Sequence, residues 1–263
     1  MIDENTLMSF SHFFADTRQL EKDYLVNLML KAISVNRVSN NMEFKGGTAL
    51  YMFHGLDRFS EDLDFTYIGN DTVTGERLDF YIEPVIKDFG LSYNVSKNKG
   101  NVVVRDDGGA ILGARTELFI EGPLFEKTGV RHKIKIDISA RNDTIMKPEA
   151  ARLVSKYGDI GTILIYKMPI GEALAEKFCA IMERLKARDL YDAYFLLKYK
   201  EVPYNESMIV EKLNKRSETF DKKVLLTSLD MINANIWNEE LAYLIKNLPE
   251  LGEVKEFVKS KIA

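Results

Sequence analysis

The stretch that most limits what this chain can become runs from Phe44 to Tyr67, FKGGTALYMFHGLDRFSEDLDFTY; it sets two adjacent glycines ahead of two aspartates one residue apart. Read as a strand over Phe59–Ile68, its second half places Ser60, Asp62, Asp64 and Thr66 on one face, because strand side chains repeat every second residue. Aspartate is disfavoured in strands, and two carboxylates at this spacing repel each other unless a cation lies between them. A strand end whose aspartates face water fits the bare pattern as well. Upstream, Gly46 and Gly47 let the backbone approach a phosphate closely and leave amide groups available to bind it. Thr48 can cap the helix expected over Thr48–His54 or offer its hydroxyl to a phosphate oxygen. A phosphate cradle followed by a carboxylate pair suited to Mg²⁺ or Mn²⁺ is the equipment for handling a nucleoside triphosphate. Arg58, just before the strand, can pair with a phosphate, with Glu61 or with Asp62.

A second informative strand is expected over His132–Ala140, HKIKIDISA. Ile134, Ile136 and Ile138 take one face, and Lys133, Lys135, Asp137 and Ser139 the other. Asp137 is expected as a third metal carboxylate, brought beside Asp62 and Asp64 by pairing of neighbouring strands; the alternative is a surface aspartate bridged to a lysine. Three carboxylates can hold two divalent ions roughly 3.5–4 Å apart. Glu172–Arg188 reads as an amphipathic helix whose apolar stripe is Leu174, Phe178, Ile181 and Leu185, with Lys177 and Arg184 at one margin. From there the Lys177 amine can neutralise a β- or γ-phosphate, or simply snorkel. Asp189 and Asp192, three apart, share a helical face; a helix cap would explain one of them but not both.

The remaining pattern is α+β. Helices fill residues 1–40 and Glu76–Phe89, the latter closed by Gly90, and strands are expected over Leu91–Ser96, Val102–Arg105, Ala114–Glu121 and Gly161–Tyr166. Pro169 and Gly171 mark a junction, dividing a mixed-sheet core with flanking helices (1–168) from a helical domain (169–263). Leu225, Leu229, Ile232, Ile236, Trp237, Leu241, Tyr243 and Leu244 are the expected core of the second. With 263 residues, a net charge of −4 and a pI near 5.6, the chain argues against a broad nucleic-acid-coating surface. Lys127, Arg131, Lys133 and Lys135 are the candidates for a local RNA-facing patch, or else a solvated charge run. The single cysteine, Cys179, excludes an internal disulfide and a thiolate zinc cluster, which fits a reducing compartment. The start MIDENTLMSF has neither a basic nor an apolar leader region, and no apolar run is long enough to span a bilayer. A soluble cytoplasmic protein with no membrane partner is the expectation.

As an ordered set, KGGTAL, RFSEDLDF, KIDIS, AEKFCAIMER and RDLYDAYFLL resemble the AbiEii/AbiGii toxin-type nucleotidyltransferases from about residue 43 to 200. The resemblance implies a nucleotidyltransferase core followed by helices. It implies that Gly47 and Thr48 border the phosphate site, that Ser60, Asp62 and Asp64 lie at the metal centre, that Lys177 is the motif lysine, and that Asp189, with Asp192, is the later acidic motif. Thr48 stands where such cores often carry Ser, which keeps the hydroxyl. The family's members are toxins of toxin–antitoxin and phage-defence systems; some bind GTP and others add pyrimidine nucleotides to tRNA 3′ ends. The expected activity is therefore Mg²⁺- or Mn²⁺-dependent transfer of a nucleoside monophosphate from GTP, CTP or UTP to a hydroxyl on tRNA or protein, with an antitoxin as a further partner. Two other readings stand beside it: a catalytically silent NTP-binding regulatory module, and a transferase for small antibiotic-type molecules.

Overall fold

The computed structural model describes residues 2–69, 83–87, 89, 93–97, 102–105, 109 and 111–262. The chain packs as two compact units, one of Met1–Ala49, Glu61–Asn142 and Glu149–Lys167, the other of Leu50–Ser60, Asp143–Pro148 and Met168–Ala263. Two stretches that the sequence assigns to the sheet core, 50–60 and 143–148, thus group with the helices.

The first unit opens with α1 (Glu4–Met8) and α2 (Thr17–Val35), each started by an aspartate cap: Asp3 accepts from the Thr6 N–H and Asp16 from the Gln19 N–H. Leu20, Tyr24, Leu25, Met29, Leu30 and Ile33 are among the buried side chains of α2. There follow β1 (Met42–Lys45), α3 (Gly46–His54, of which only the first turn, up to Ala49, belongs to this unit), β2 (Leu63–Tyr67), β3 (Asn94–Lys97), β4 (Val102–Arg105), β5 (Ile111–Glu121), α4 (Phe125–Thr128), β6 (Arg131–Ser139), β7 (Glu149–Val154) and β8 (Thr162–Lys167). The strands form one mixed sheet in the order β3-β5-β6-β2-β1-β8-β7, with β4 also paired to β5. β2 runs parallel to β6 and antiparallel to β1, while β5 and β6 form a long antiparallel pair. Its alternation puts Phe44, Phe65, Ile138 and Ala114 in one buried cross-strand row.

The helical unit contains α5 (Ile170–Arg184), α6 (Ala187–Tyr199), α7 (Glu206–Lys215), α8 (Lys222–Met231), α9 (Ala234–Leu241) and α10 (Leu251–Ile262). Phe178, Ile181, Leu190, Leu196, Leu225, Leu229, Trp237, Leu241, Val254 and Val258 are among its buried core. Asn205, Asp221 and Asn233 cap α7, α8 and α9.

Three expectations shift. The strand carrying the aspartates begins only at Leu63, so Asp62 lies just before it and Ser60 belongs to the other unit. The helix expected to run to Arg188 stops at Arg184, because Leu185 adopts a left-handed conformation (φ 46°) and α6 starts afresh. Tyr243 is 60% exposed rather than core. The helix expected over Glu76–Phe89 and its Gly90 cap lie mostly outside the described residues. Among the described residues no helix is long and apolar enough to cross a membrane.

Candidate active site

Strand register brings the first group of side chains together. Lys45 pairs with Asp64, Asp64 with Asp137, and Asp137 with Arg115, giving one row across β1, β2, β6 and β5 that reads cation, carboxylate, carboxylate, cation. It is the polar counterpart of the Phe44–Phe65–Ile138–Ala114 row, one residue along each strand and so on the opposite face. Asp64 is half-buried. Its carboxyl is pushed up to about 6, first by burial and then by the charges of Asp62 and Asp137, against a partial offset from Lys135 and Lys45. Asp137 is held differently. Arg115 Nε donates to its Oδ1 at 2.7 Å and Lys135 Nζ lies 2.5 Å from its Oδ2.

Among the described residues, no three His, Cys, Asp or Glu side chains are gathered as a metal-holding group. Strand pairing brings Asp137 opposite Asp64, as the sequence predicts, with its two oxygens engaged by Arg115 and Lys135. Asp62 and Asp64 are the carboxylate pair that fits a divalent ion. Their oxygen-only chemistry suits Mg²⁺ or Mn²⁺. The raised Asp64 carboxyl reports negative charge short of compensation, which a bound cation would relieve.

Gly46 explains part of this geometry. It sits at φ 76°, a conformation that L side chains rarely adopt, and a Cβ there would lie 2.4 Å from Asp64 Oδ2. The start of α3 thus lies directly against the carboxylate. Thr48 is fully buried and donates its hydroxyl proton to the Asp62 backbone carbonyl at 2.5 Å, fixing the residue before β2. A hydroxyl has one proton, so in this arrangement Thr48 has none to give a phosphate. Gly46→Ala is expected to cost roughly 1–2 kcal/mol in stability from the backbone alone. By displacing Asp64 it should also lower nucleotidyl transfer by about 10²-fold. Thermal melts and initial rates measured together check this; a variant with wild-type rates would remove Gly46 from the site.

In the helical unit, five charged side chains from three segments make a second group. Arg58 grips Asp192 with two hydrogen bonds, Nε to Oδ1 at 2.6 Å and Nη2 to Oδ2 at 2.8 Å. Lys177 Nζ lies 3.0 Å from Asp189 Oδ1 and 2.7 Å from Asp192 Oδ2. Arg184 donates from Nε to Asp189 Oδ2 at 2.8 Å. Arg58, Lys177, Asp189 and Asp192 are all buried. Burial alone would raise both carboxyls; Lys177 and Arg184 outweigh it and hold Asp189 down at about 2, while Arg58 and Lys177 hold Asp192 below its ordinary value. Asp189 is not the helix cap, since Lys186 occupies that position. The same helix secures the neighbours of Arg58, because the Tyr191 hydroxyl donates to Asp57 Oδ1 at 2.6 Å. The Phe59 N–H donates to the Leu244 carbonyl at 3.1 Å.

A chain with an ordered glycine pair, a carboxylate pair and a later Lys/Asp network can be set against known families. The profile described as nucleotidyl transferase AbiEii toxin, type IV TA system, matches residues 28–258. The chain belongs to the AbiEii nucleotidyltransferase toxin family. Solved structures agree on the fold. MenT4, a nucleotidyltransferase toxin from Mycobacterium tuberculosis, is similar with a TM-score of 0.66 at 16% identity, over 100% of this chain and 89% of that one. JHP933 from Helicobacter pylori is similar with a TM-score of 0.58 at 19% identity, over 94% of this chain and 90% of that one. No curated protein matches the chain. As a member of this family the protein is a nucleotidyltransferase built on an α+β core with a mixed sheet and flanking helices.

Some residues of these two groups escaped sequence reasoning. Lys45 and Arg115 join the carboxylate row only through strand register. Lys22 of α2 lies 3.6 Å from Glu61 Oε2, beside the approach to Asp62. The candidate RNA-facing cations are each matched to an acid: Lys127 to Glu4, Arg131 to Glu121, Lys133 to Glu117 and Lys135 to Asp137.

Proposed function

We propose that this AbiEii-family protein transfers a nucleoside monophosphate from GTP, CTP or UTP to a hydroxyl at the 3′ end of tRNA, using a divalent cation held by Asp62 and Asp64, as the toxin partner of an antitoxin. The observation that carries the reading is the Asp64–Asp137 pair in register with Gly46 packed against Asp64, since it sets a charge-starved carboxylate beside the start of a helix. When bound there, Mg²⁺ or Mn²⁺ supplies charge neutralisation for the triphosphate and acidifies the acceptor hydroxyl. Asp62 and Asp64 provide the anionic donors. The backbone N–H groups of Gly46 and Gly47, unscreened by side chains, would donate to phosphate oxygens at the start of α3. Thr48 acts by fixing Asp62. Ser60 precedes the pair and offers a hydroxyl close to it in sequence.

Lys177 and Asp189 take positioning roles in this reading. The Lys177 ammonium has two carboxylate partners and Asp189 has two cations, so neither is available to a nucleotide without breaking a buried ion pair. Lys177 steadies Asp192, which in turn grips Arg58 and anchors the 57–59 segment within the helical unit.

The test is incubation of the pure protein with each α-labelled NTP, Mg²⁺ and total tRNA, beside an Asp62→Ala/Asp64→Ala double variant. Label should move to RNA with one base preferred and be lost in the variant. Label on the protein itself would replace the RNA acceptor with a protein one. Nucleotide binding without any transfer would favour the silent regulatory module, and transfer by the double variant would remove the assigned metal site.

A further inference from the structure

The first unit spends two cations on one carboxylate while its neighbour goes short. Arg115 and Lys135 take the two oxygens of Asp137, whereas Asp64, the next member of the row, sits among carboxylates. Asp64 has Asp62 and Asp137 as like-charged neighbours, and Lys135 and Lys45 offset them only in part. A divalent cation arriving alone would have to compete with Arg115 and Lys135 for Asp137. A metal arriving with a triphosphate would not meet that obstacle. Phosphate oxygens would replace Asp137 as partner of the two cations and leave its carboxylate available to the metal.

We infer that Arg115 and Lys135 are the triphosphate-binding cations of this site, and that they hold Asp137 as a placeholder anion until nucleotide displaces it. The chemistry of the side chains fits. An arginine fork suits phosphate oxygens as well as carboxylate, and Arg115 is 49% exposed on its side chain with only its Nε directed at Asp137. Lys135, on the same strand as Asp137, approaches from the other oxygen. Metal and nucleotide then bind cooperatively, because each removes the cost that the other would face alone. The inference rests on the assignment of Asp62 and Asp64 as the divalent site.

Arg115→Gln and Lys135→Gln give the test, with Mn²⁺ binding followed by electron paramagnetic resonance, alone and in the presence of GTP or CTP, and nucleotide binding followed by calorimetry. Both side chains are at the surface or half-buried, and melting midpoints verify folding. Each variant should bind Mn²⁺ alone about three- to tenfold tighter, because a competitor for Asp137 is gone, and bind the Mn²⁺–nucleotide about three- to tenfold more weakly. Arg115→Lys should recover part of the nucleotide affinity. Opposite signs are the signature, since a merely structural role would weaken both or move neither. Unchanged affinities, or a parallel fall in both, would overturn the inference even if Asp62→Ala/Asp64→Ala abolishes Mn²⁺–nucleotide binding as expected. A wild-type protein that binds no Mn²⁺ with or without nucleotide would overturn the divalent site along with it. Weakened tRNA binding with nucleotide affinity intact would reassign the two cations to the acceptor.

Discussion

Asp64→Asn should abolish nucleotidyl transfer and raise the melting temperature at the same time. The loss of activity is expected to reach about 10³-fold, because the amide keeps the shape but withdraws the charge that draws in the divalent ion. The gain in stability follows from the carboxyl itself. Burial first, and then Asp62 and Asp137, lift it from 3.8 to about 6, so at neutral pH the folded state holds an ionised group that it disfavours. At about 1.4 kcal/mol per pKa unit, removing that charge returns roughly 2–3 kcal/mol, or several degrees of melting temperature for a chain of this size. The sign with pH follows from linkage. A raised folded pKa contributes stability that is complete below the unfolded value and is lost as pH rises through the folded one. The wild type should therefore lose stability between about pH 4 and 6, and Asp64→Asn should lack that slope. Saturating Mg²⁺ or Mn²⁺ together with nucleotide should abolish that slope in the wild type. A variant that is both dead and less stable than wild type would argue that Asp64 serves packing.

Asp192→Ala carries the second large effect, on stability first. Asp192 is fully buried and accepts from Arg58 twice and from Lys177 once. Its removal leaves two buried cations sharing Asp189, a loss of about 3–5 kcal/mol and roughly 10 °C in melting temperature. Arg58→Leu/Asp192→Leu, which removes the pair together, should cost markedly less than the sum of its single variants. Additive singles, or a melt within about 2 °C of wild type for Asp192→Ala, would show that the network does not hold the segment. The pH dependence here is opposite to that of Asp64. Asp189 and Asp192 have depressed carboxyls, so their contribution is present above the ordinary carboxylate value and is lost as pH falls through the folded ones, near pH 2 for Asp189. Acid unfolding followed by far-UV circular dichroism should begin below about pH 4 and be shifted upward in Lys177→Ala.

The parts of the site that were legible in the sequence were those encoded by short periods. Alternation set Ile134, Ile136 and Ile138 against Asp137, and the register of two neighbouring strands then brought Asp137 opposite Asp64. What stayed hidden depends on separations that local pattern does not carry. Arg58 and Asp192 are 134 positions apart, and the pairing preference of Arg58, for phosphate or for an acid, was decided by which helix packs beside it. Arg115 joined the site through its strand position opposite Asp137. The break at Leu185 gave no signal, because the residue continues an apolar stripe and is not the glycine that left-handed helix ends favour. Segments 50–60 and 143–148 pack with the helices although their sequence neighbours build the sheet.

The most direct measurement is an anomalous diffraction map from crystals grown with Mn²⁺ and a non-hydrolysable nucleoside triphosphate. The strongest peak should lie against the Asp62 and Asp64 carboxylates, with the triphosphate beside Gly46 and Gly47. A nucleotide held elsewhere, or a Mn²⁺ peak remote from both aspartates, would contradict the site described here.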